Sequence, residues 1–100
     1  MYYGTVTVTT KPGKRFAAIE HIKKLAKLSS EKYGIPTEVL GNGTGLVYKC
    51  HIVSKYQSAA QWDDSTKKLV ADPAFQEWFN ASEGLIEWQD ARNDLYEVFD

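Results

Sequence analysis

Cys50 and His51 are neighbours in the sequence, and a thiol beside an imidazole is a pairing that can activate a cysteine nucleophile. Residues 46–54 have the composition of a β-strand, however, and successive side chains of a strand point to opposite faces of the sheet. The two side chains are therefore expected to diverge, which argues against a catalytic dyad. Cys50 is instead expected to be a small core residue, on the same face as three apolar neighbours: Leu46, Tyr48 and Ile52.

His51 is the more informative of the two residues, because it belongs to the other face of this strand. Its neighbours on that face are Val47, Lys49 and Val53, and the more apolar face that holds Cys50 should pack against the helices. His51 then points away from the helices, where an imidazole could serve as a proton shuttle or bind a polar ligand. The alternative is a histidine that is hydrogen-bonded within a subunit contact or solvated.

The remaining residues of reactive type lack the spacing that a site requires. His21 falls toward the polar side of a predicted helix and is expected to be exposed; without a spaced third ligand, two histidines predict no metal site. Gly41, Gly43 and Gly45 precede a strand rather than a helix, so they indicate a turn and not a phosphate-binding loop. Four aromatic residues are expected in the core, with the wall of a pocket between sheet and helices as the alternative: Trp62, Phe75, Trp78 and Phe79.

The composition is that of a globular domain without a signature of nucleic-acid binding or membrane insertion. The chain has 100 residues, of which 43% are hydrophobic and 25% charged, and its formal net charge is −1. This balance gives no reason to expect nucleic acid or anionic lipid as a partner. Cys50 is the only cysteine, which excludes an internal disulfide, and the first residues do not resemble a secretory signal. We expect one cytoplasmic domain over residues 1–100, with neither nucleic acid nor membrane as a partner.

The first half of the chain predicts a strand, a long helix and a hairpin. Alternating β-branched residues indicate a strand over Tyr2–Thr10, after which the hydrophobic period becomes helical over Lys14–Tyr33. Gly34 suits the left-handed residue that ends a helix. Two further strands, Thr37–Leu40 and Leu46–Ser54, are expected to form the hairpin.

The second half predicts two helices and a closing strand. Ser58 is a suitable N-cap for a helix over Ala59–Ala71, and Asp72-Pro73 restarts the chain as a shorter aromatic helix. The last strand is expected over Leu95–Phe99, beginning as early as Trp88. The order βαββαβ gives an α+β ferredoxin-like fold, a four-stranded antiparallel sheet with helices on one face. Six residues are expected to be buried on the helix side: Ile22, Leu25, Cys50, Ile52, Trp62 and Trp78.

In this order of elements the chain resembles the dimeric α+β barrel superfamily, which includes antibiotic-biosynthesis monooxygenase-like, NIPSNAP-like and stress-responsive barrel domains. The resemblance covers nearly the whole chain. It is carried by the opening strand, the long helix, the hairpin around Gly41–Gly45, the closing Leu95–Val98 and, most tellingly, the segment Trp62…Leu69…Asp72-Pro73-Ala74-Phe75…Trp78. It implies the fold and dimerisation far more than a chemistry, since one fold hosts many functions.

A homodimer is what the resemblance implies, and the one-sided helix arrangement gives it a physical reason. A sheet with helices on one face leaves the other face bare, and a partly apolar bare face needs a cover. In this superfamily two such faces close against each other. Here the bare face is expected to carry Val47 and Val53 among polar neighbours.

The resemblance leaves three functions open. The first is a small-molecule-binding domain that works as a cofactor-independent, monooxygenase-like enzyme, with His51 as proton shuttle and Tyr3, Thr7 and Lys49 shaping the pocket. The second is a non-catalytic dimerisation or ligand-binding module. The third is haem handling, which some relatives perform and for which only His51 is placed as an axial ligand. The favoured first function needs no cofactor, and its expected partners are a second copy of the chain and a small-molecule ligand.

Overall fold

The computed structural model describes residues 1–99; Asp100, the last residue of the predicted domain, lies outside the described residues. The elements follow one another in the order that the sequence predicts, and their bounds differ from the prediction mainly in the third and fourth strands. They are β1 (Tyr2–Thr10), α1 (Arg15–Tyr33), β2 (Thr37–Gly41), β3 (Lys49–Tyr56), α2 (Ala59–Ala71), α3 (Pro73–Ala81) and β4 (Ile86–Glu97).

The four strands form one antiparallel sheet in the order β2-β3-β1-β4. β1 and β3 are the central strands, and α1 and the α2–α3 pair are the two crossover connections. The helices pack on one face of the sheet, as right-handed crossovers require. The predicted α+β ferredoxin-like fold of βαββαβ order is thereby confirmed.

The helices begin and end at the residues whose side chains or backbone favour it. The Ser58 hydroxyl accepts a hydrogen bond from the Gln61 N–H at the start of α2. The Asp72 carboxylate accepts one from the Ala74 N–H at the start of α3. Gly34 ends α1 with φ 66°, a left-handed conformation that glycine adopts without steric cost. All three predicted helix boundaries are therefore correct.

The connection between β2 and β3 is longer than predicted, because β3 begins at Lys49 and not at Leu46. The three residues before Lys49 form a turn in which the Lys49 N–H donates to the Leu46 carbonyl at 3.0 Å. Arg15 fixes the loop to α1 by donating from Nε to the Val47 carbonyl at 2.8 Å. These local hydrogen bonds replace strand pairing, so the prediction that Val47 lies on the bare sheet face is wrong.

The closing strand is also longer than predicted, because it begins at Ile86, two residues before the earliest start that the sequence indicates, although it ends at Glu97 and not at the predicted Phe99. The pairing with β1 shifts between Thr7, which is opposite Arg92, and Thr9, which is opposite Glu87. β4 therefore bulges at this point, and a bulge re-aims the side chains around it. The polar residues of the bulge interrupt the alternation that would have marked a continuous strand.

The core lies between the sheet and the helices. Five of the six residues predicted to be buried there are buried: Ile22, Leu25, Cys50, Ile52 and Trp78. The sixth, Trp62, is only partly buried, like the other inward-facing side chains of α2, a helix in which no residue is fully buried. Among residues 1–99, no helix is long and apolar enough to cross a membrane.

Candidate functional site

His51 lies on the sheet face that points away from the helices, as predicted. This open face is defined here by eight side chains of the two central strands: Tyr3, Thr5, Thr7, Thr9, Lys49, His51, Val53 and Lys55. His51 Nδ1 is 2.9 Å from the Thr7 hydroxyl, directly opposite in register, and Nε2 is 2.7 Å from the Asn42 amide oxygen. An amide oxygen only accepts, so Nε2 carries the proton and the Thr7 hydroxyl donates to Nδ1 in the neutral ring.

These two hydrogen bonds engage both nitrogens of His51 within its own subunit. A ligand that used the imidazole would have to displace Thr7 or Asn42. The role of His51 as a proton shuttle stays a prediction, since both ring nitrogens are hydrogen-bonded to side chains of the same subunit.

The predicted ligand-binding residues share the open face with His51 but lie at different distances from it. Thr7 contacts His51, while the Lys49 ammonium donates to the Thr9 hydroxyl at 2.6 Å. Tyr3 is four residues from Thr7 along β1, about 13 Å away at the rise of a strand. The structure thus brings Thr7 and His51 together, with Lys49 one pair along, and leaves Tyr3 separate. That these residues bind a ligand stays a prediction.

A cavity of about 230 Å³ lies on the opposite side of the sheet, between the strands and the helices. We call it the inter-layer cavity. Its floor is formed by helix-facing residues of β1 and β3, and aromatic rings make up much of its wall. The residues that line it are Gly4, Val6, Leu25, Ser29, Ile52, Ser54, Tyr56, Trp62, Thr66, Leu69, Val70, Phe75, Trp78, Phe79, Trp88 and Asn93. All four aromatic residues singled out in the sequence line this cavity, while Trp78 is also buried in the core and Phe75 packs against it, so both interpretations, core and pocket wall, apply.

The aromatic wall of the inter-layer cavity is held in place by ring packing and hydrogen bonds. The Trp88 ring packs on Phe79 at 4.9 Å and meets Trp78 edge-on at 6.1 Å between centroids. The Trp88 indole N–H donates to the Ser82 hydroxyl at 2.7 Å, and Ser82 is fully buried. Trp88 immediately follows the strand pair at which the bulge begins, so the bulge helps to aim this ring into the cavity.

His21 packs against the same aromatic wall and is only partly exposed, so the prediction that it is exposed is wrong. The imidazole stacks on the Trp78 ring at 4.8 Å with 7° between the planes, and Nε2 is 2.8 Å from the Trp78 carbonyl. The Trp78 indole N–H donates in return to the His21 carbonyl at 2.6 Å. His21 therefore joins α1 to α3 behind the cavity wall. Its place at the edge of the apolar stripe of α1 was the signal for this contact.

Polar groups reach the inter-layer cavity at a few points, and sequence reasoning did not single them out. Ser54 and Tyr56 continue the helix-facing side of β3 beyond Ile52, and Asn93 enters from β4. Burial raises the pKa of the Tyr56 phenol, an effect that a hydrogen bond from Ser54 partly offsets. Tyr56 is therefore a neutral hydrogen-bond donor around neutral pH. Two hydroxyl-bearing residues that follow an apolar helix-facing run were the available signal.

The chain at the junction of α2 and α3 is fixed by Asp72. Its buried carboxylate accepts hydrogen bonds from the Lys32 ammonium at 2.6 Å and from the Tyr33 hydroxyl, besides the Ala74 N–H. Hydrogen bonds from Lys32, Tyr33 and Ala74, in that order of effect, lower the pKa of Asp72 from 3.8 to about 2. The end of α1 is thereby tied to the point where the cavity-lining helices meet.

The described part of the chain offers no group of three or more His, Cys, Asp or Glu side chains that could hold a metal ion. Haem handling would require an axial histidine beside a large apolar cleft. His51 and the inter-layer cavity lie on opposite sides of the sheet, so the structure does not bring these two requirements together.

Comparison by sequence gives no relative: no protein-family model matches the chain, and no curated protein does. Comparison of structures gives many. An uncharacterised NIPSNAP domain protein from Burkholderia xenovorans superposes with a TM-score of 0.81 at 13% identity, over 99% of this chain and 95% of that one. A NIPSNAP family protein of unknown function from Agrobacterium tumefaciens gives 0.79 at 18% identity, over 96% and 86%.

A third solved structure, a candidate antibiotic biosynthesis monooxygenase from Deinococcus radiodurans, has a TM-score of 0.76 at 13% identity, over 100% of this chain and 94% of that one. At such identities the likeness establishes the fold alone. The predicted resemblance to the NIPSNAP-like and antibiotic-biosynthesis monooxygenase-like domains is confirmed at that level.

Proposed function

We propose that this domain binds a small, uncharged organic molecule with an apolar ring system in the inter-layer cavity. The observation that carries the proposal is the cavity itself, about 230 Å³ of space walled by aromatic rings and touched by a few hydroxyl and amide groups. Small-molecule sites have this composition, with apolar walls for affinity and sparse polar groups for orientation.

The position and the lining of the cavity favour a binding site over an imperfection of packing. The cavity lies between the sheet and the helices, and two of its lining residues, Val70 and Phe79, are 53% and 41% exposed, which leaves a way in for a ligand. Hydroxyl and amide side chains also line it, and sparse polar groups of this kind orient a bound ligand. A molecule that fills the space would bury its apolar surface against the aromatic rings.

The lining residues indicate what chemistry the ligand carries. None of them is acidic or basic, and a charged group moved into such surroundings without a partner loses its hydration uncompensated. Tyr56, whose pKa burial raises from an ordinary value already above neutrality, can donate a hydrogen bond to an oxygen of the ligand. A neutral aromatic molecule with one hydroxyl or carbonyl oxygen meets these conditions.

Titration of the ¹⁵N-labelled protein with 2-naphthol, followed by amide chemical shifts, tests this proposal. Shifts should concentrate on cavity-lining residues such as Ser54 and Asn93, and 2-naphthoate, which is charged, should cause none. Tyr56→Phe should weaken 2-naphthol binding about tenfold, the loss of one hydrogen bond. Tyr96→Phe is the matched control, because Tyr96 is 54% exposed and does not line the cavity. Shifts confined to the open face would contradict the proposal.

A monooxygenase-like reaction on the bound molecule is the finer proposal, supported by the shared fold with the Deinococcus protein. Without a cofactor, the substrate itself must supply the electrons. A CH₂ group activated by an adjacent ring is oxidised by O₂ to a carbonyl; one oxygen atom enters the product, and the other leaves as water with the two hydrogens. Dioxygen uptake in step with loss of substrate would support turnover. If neutral aromatic compounds that carry such a CH₂ group bind without uptake of dioxygen, the domain is a non-catalytic binding module.

A homodimer that covers the open face is the second part of the proposal. Val53 and the three threonine side chains of this face are only partly buried within one subunit, and Leu40, beside His51 in register, is 48% exposed. A second copy packed on this face would remove that surface from water. Tyr3, Thr7, Lys49 and His51 would then lie between the subunits, where the predicted polar ligand site would be enclosed.

A further inference from the structure

Gly4 interrupts β1, a strand that otherwise consists of β-branched and aromatic residues. It lies in the interior of β1, a central strand, and is buried. Glycine weakens the interior of a strand, since it has no side chain to pack and loses more conformational freedom than any other residue. Its φ is not positive, unlike that of Gly13, Gly34 and Gly45, so the backbone conformation does not require glycine here.

The space above Gly4 gives the reason for this residue. A Cβ atom built on Gly4 would stand 2.9 Å from Tyr56 Cε2 and 3.4 Å from Trp62 Cδ1. Carbon atoms do not approach to 2.9 Å without displacement, and the atom that must move belongs to a bulky ring. Tyr56 and Trp62 both line the inter-layer cavity, one from β3 and the other from α2. Gly4 is therefore the part of the cavity floor over which these two rings close.

We propose that Gly4 sets the depth of the inter-layer cavity and thereby the largest ring system that it accepts. The proposal rests on the proposed function, the binding of an aromatic molecule in this cavity. A methyl group at position 4 would occupy part of the floor, and the Tyr56 ring would have to move toward the empty space. Both changes remove volume from the same end of the cavity, while the Trp78–Trp88 end stays as it is. Position 4 thus discriminates between ligands by length.

The test compares Gly4→Ala with Gly84→Ala, in which the new Cβ meets no atom within 4 Å and the residue does not line the cavity. Dissociation constants are measured for phenol, with one ring, and 2-naphthol, with two. Gly4→Ala should raise that of 2-naphthol about tenfold and leave that of phenol within about twofold. Gly84→Ala should change neither. Equal effects of Gly4→Ala on both probes, or none on either, would overturn the proposal.

Xenon separates this proposal from the proposed function, because xenon enters apolar cavities without specific recognition. ¹²⁹Xe NMR of the wild-type protein and the two variants should show weaker xenon binding in Gly4→Ala alone. If naphthol does not bind the wild type but xenon binding falls in Gly4→Ala, the proposed function fails and the role of Gly4 in cavity depth stands. Unchanged xenon binding overturns that role.

A second variant keeps the proposal testable if Gly4→Ala does not fold. Trp62→Phe shortens the ring above Gly4, and Trp62 is only partly buried, so the fold should tolerate it. The cavity would become larger beside Gly4. A three-ring probe, 2-hydroxyanthracene, should therefore bind to this variant at least about tenfold more tightly than to the wild type. No gain for the longer probe would overturn the assignment of cavity depth to this end.

Discussion

His21 and Trp78 bind each other twice, through hydrogen bonds that run in opposite directions between two helices. The Trp78 indole N–H donates to the His21 carbonyl at 2.6 Å, and His21 Nε2 donates to the Trp78 carbonyl at 2.8 Å. Their rings are stacked at 4.8 Å. Trp78 lines the inter-layer cavity, so this pair fixes one wall of the proposed binding site to the longest helix of the fold.

Replacing His21 with Ala should destabilise the protein by about 1–3 kcal/mol, the loss of a stacked pair together with one hydrogen bond. The bond lost is the one from Nε2 to the Trp78 carbonyl, while the indole N–H keeps the backbone carbonyl of residue 21 as its acceptor. Urea unfolding followed by tryptophan fluorescence measures this change. Lys24→Ala, an exposed position on the same helix, should cost less than about 0.5 kcal/mol. A His21 variant as stable as the Lys24 variant would mean that the stacked pair does not form in solution.

Asp72 should make the stability of the protein depend on acid pH. Its pKa is about 2 in the folded chain, against an ordinary 3.8, so folding favours the ionised carboxylate. This contribution is fully present above about pH 5 and is lost as the pH falls through about 2. In Asp72→Asn the free energy of unfolding should therefore fall less steeply between pH 5 and pH 2 than in the wild type, by chemical denaturation at each pH.

The matched control for Asp72 is Asp64→Asn. Asp64 pairs with Lys68 at 3.0 Å on the surface of α2, and 65% of its side chain is exposed. A solvated pair of this kind contributes little to stability. The pH profile of Asp64→Asn should follow the wild type. Profiles of equal slope for all three proteins would show that the Lys32 and Tyr33 hydrogen bonds do not hold Asp72 ionised.

The fold could be predicted because each element carries its own local signal. Ser58 and Asp72 mark helix starts with side chains that bond to backbone N–H groups, and Gly34 marks a helix end. The errors fall where several local rules compete. Leu46 continues the apolar alternation of β3, but the preceding glycines permit a wider loop, and hydrogen bonds across space decide the outcome. The bulge in β4 likewise depends on its pairing with β1, which is not written in β4 itself.

The candidate site was only partly predictable, because a cavity is a property of how the layers meet. Strand alternation placed His51 and Thr7 on the same face, and the aromatic residues of α2 and α3 were recognised as a core or a pocket wall. Periodicity cannot tell these two apart, since both require the side chain to point inward. Only the separation between sheet and helices distinguishes a filled core from an empty one. The role of Gly4 could not be predicted for the same reason, because it depends on the positions of Tyr56 and Trp62 above it.

Replacing Val53 with Lys should separate the proposed homodimer into monomers. Val53 lies near the middle of the open face, on a central strand, and an ammonium group there would be buried against its symmetry mate. Sedimentation equilibrium at micromolar concentration should give a dimer for the wild type and a monomer for the variant. Val47→Lys should remain dimeric, since Val47 lies in the loop before β3. A wild-type protein that is monomeric at this concentration would refute the proposal.

Replacing His51 with Ala distinguishes the two places where a ligand could bind. If the ligand occupies the inter-layer cavity, the sheet separates it from His51, and the dissociation constant of 2-naphthol should stay within about twofold of the wild-type value. The variant should instead loosen the loop before β3, because the Asn42 amide oxygen loses the hydrogen bond that it accepts from His51 Nε2 at 2.7 Å. Faster amide hydrogen exchange over residues 42–48 would report this. Thr7→Val, which removes the other hydrogen bond of the ring, should leave the loop in place, because the bond to Asn42 remains. Loss of naphthol binding in His51→Ala with an intact dimer would place the ligand on the open face and restore His51 as its binding or proton-transferring residue.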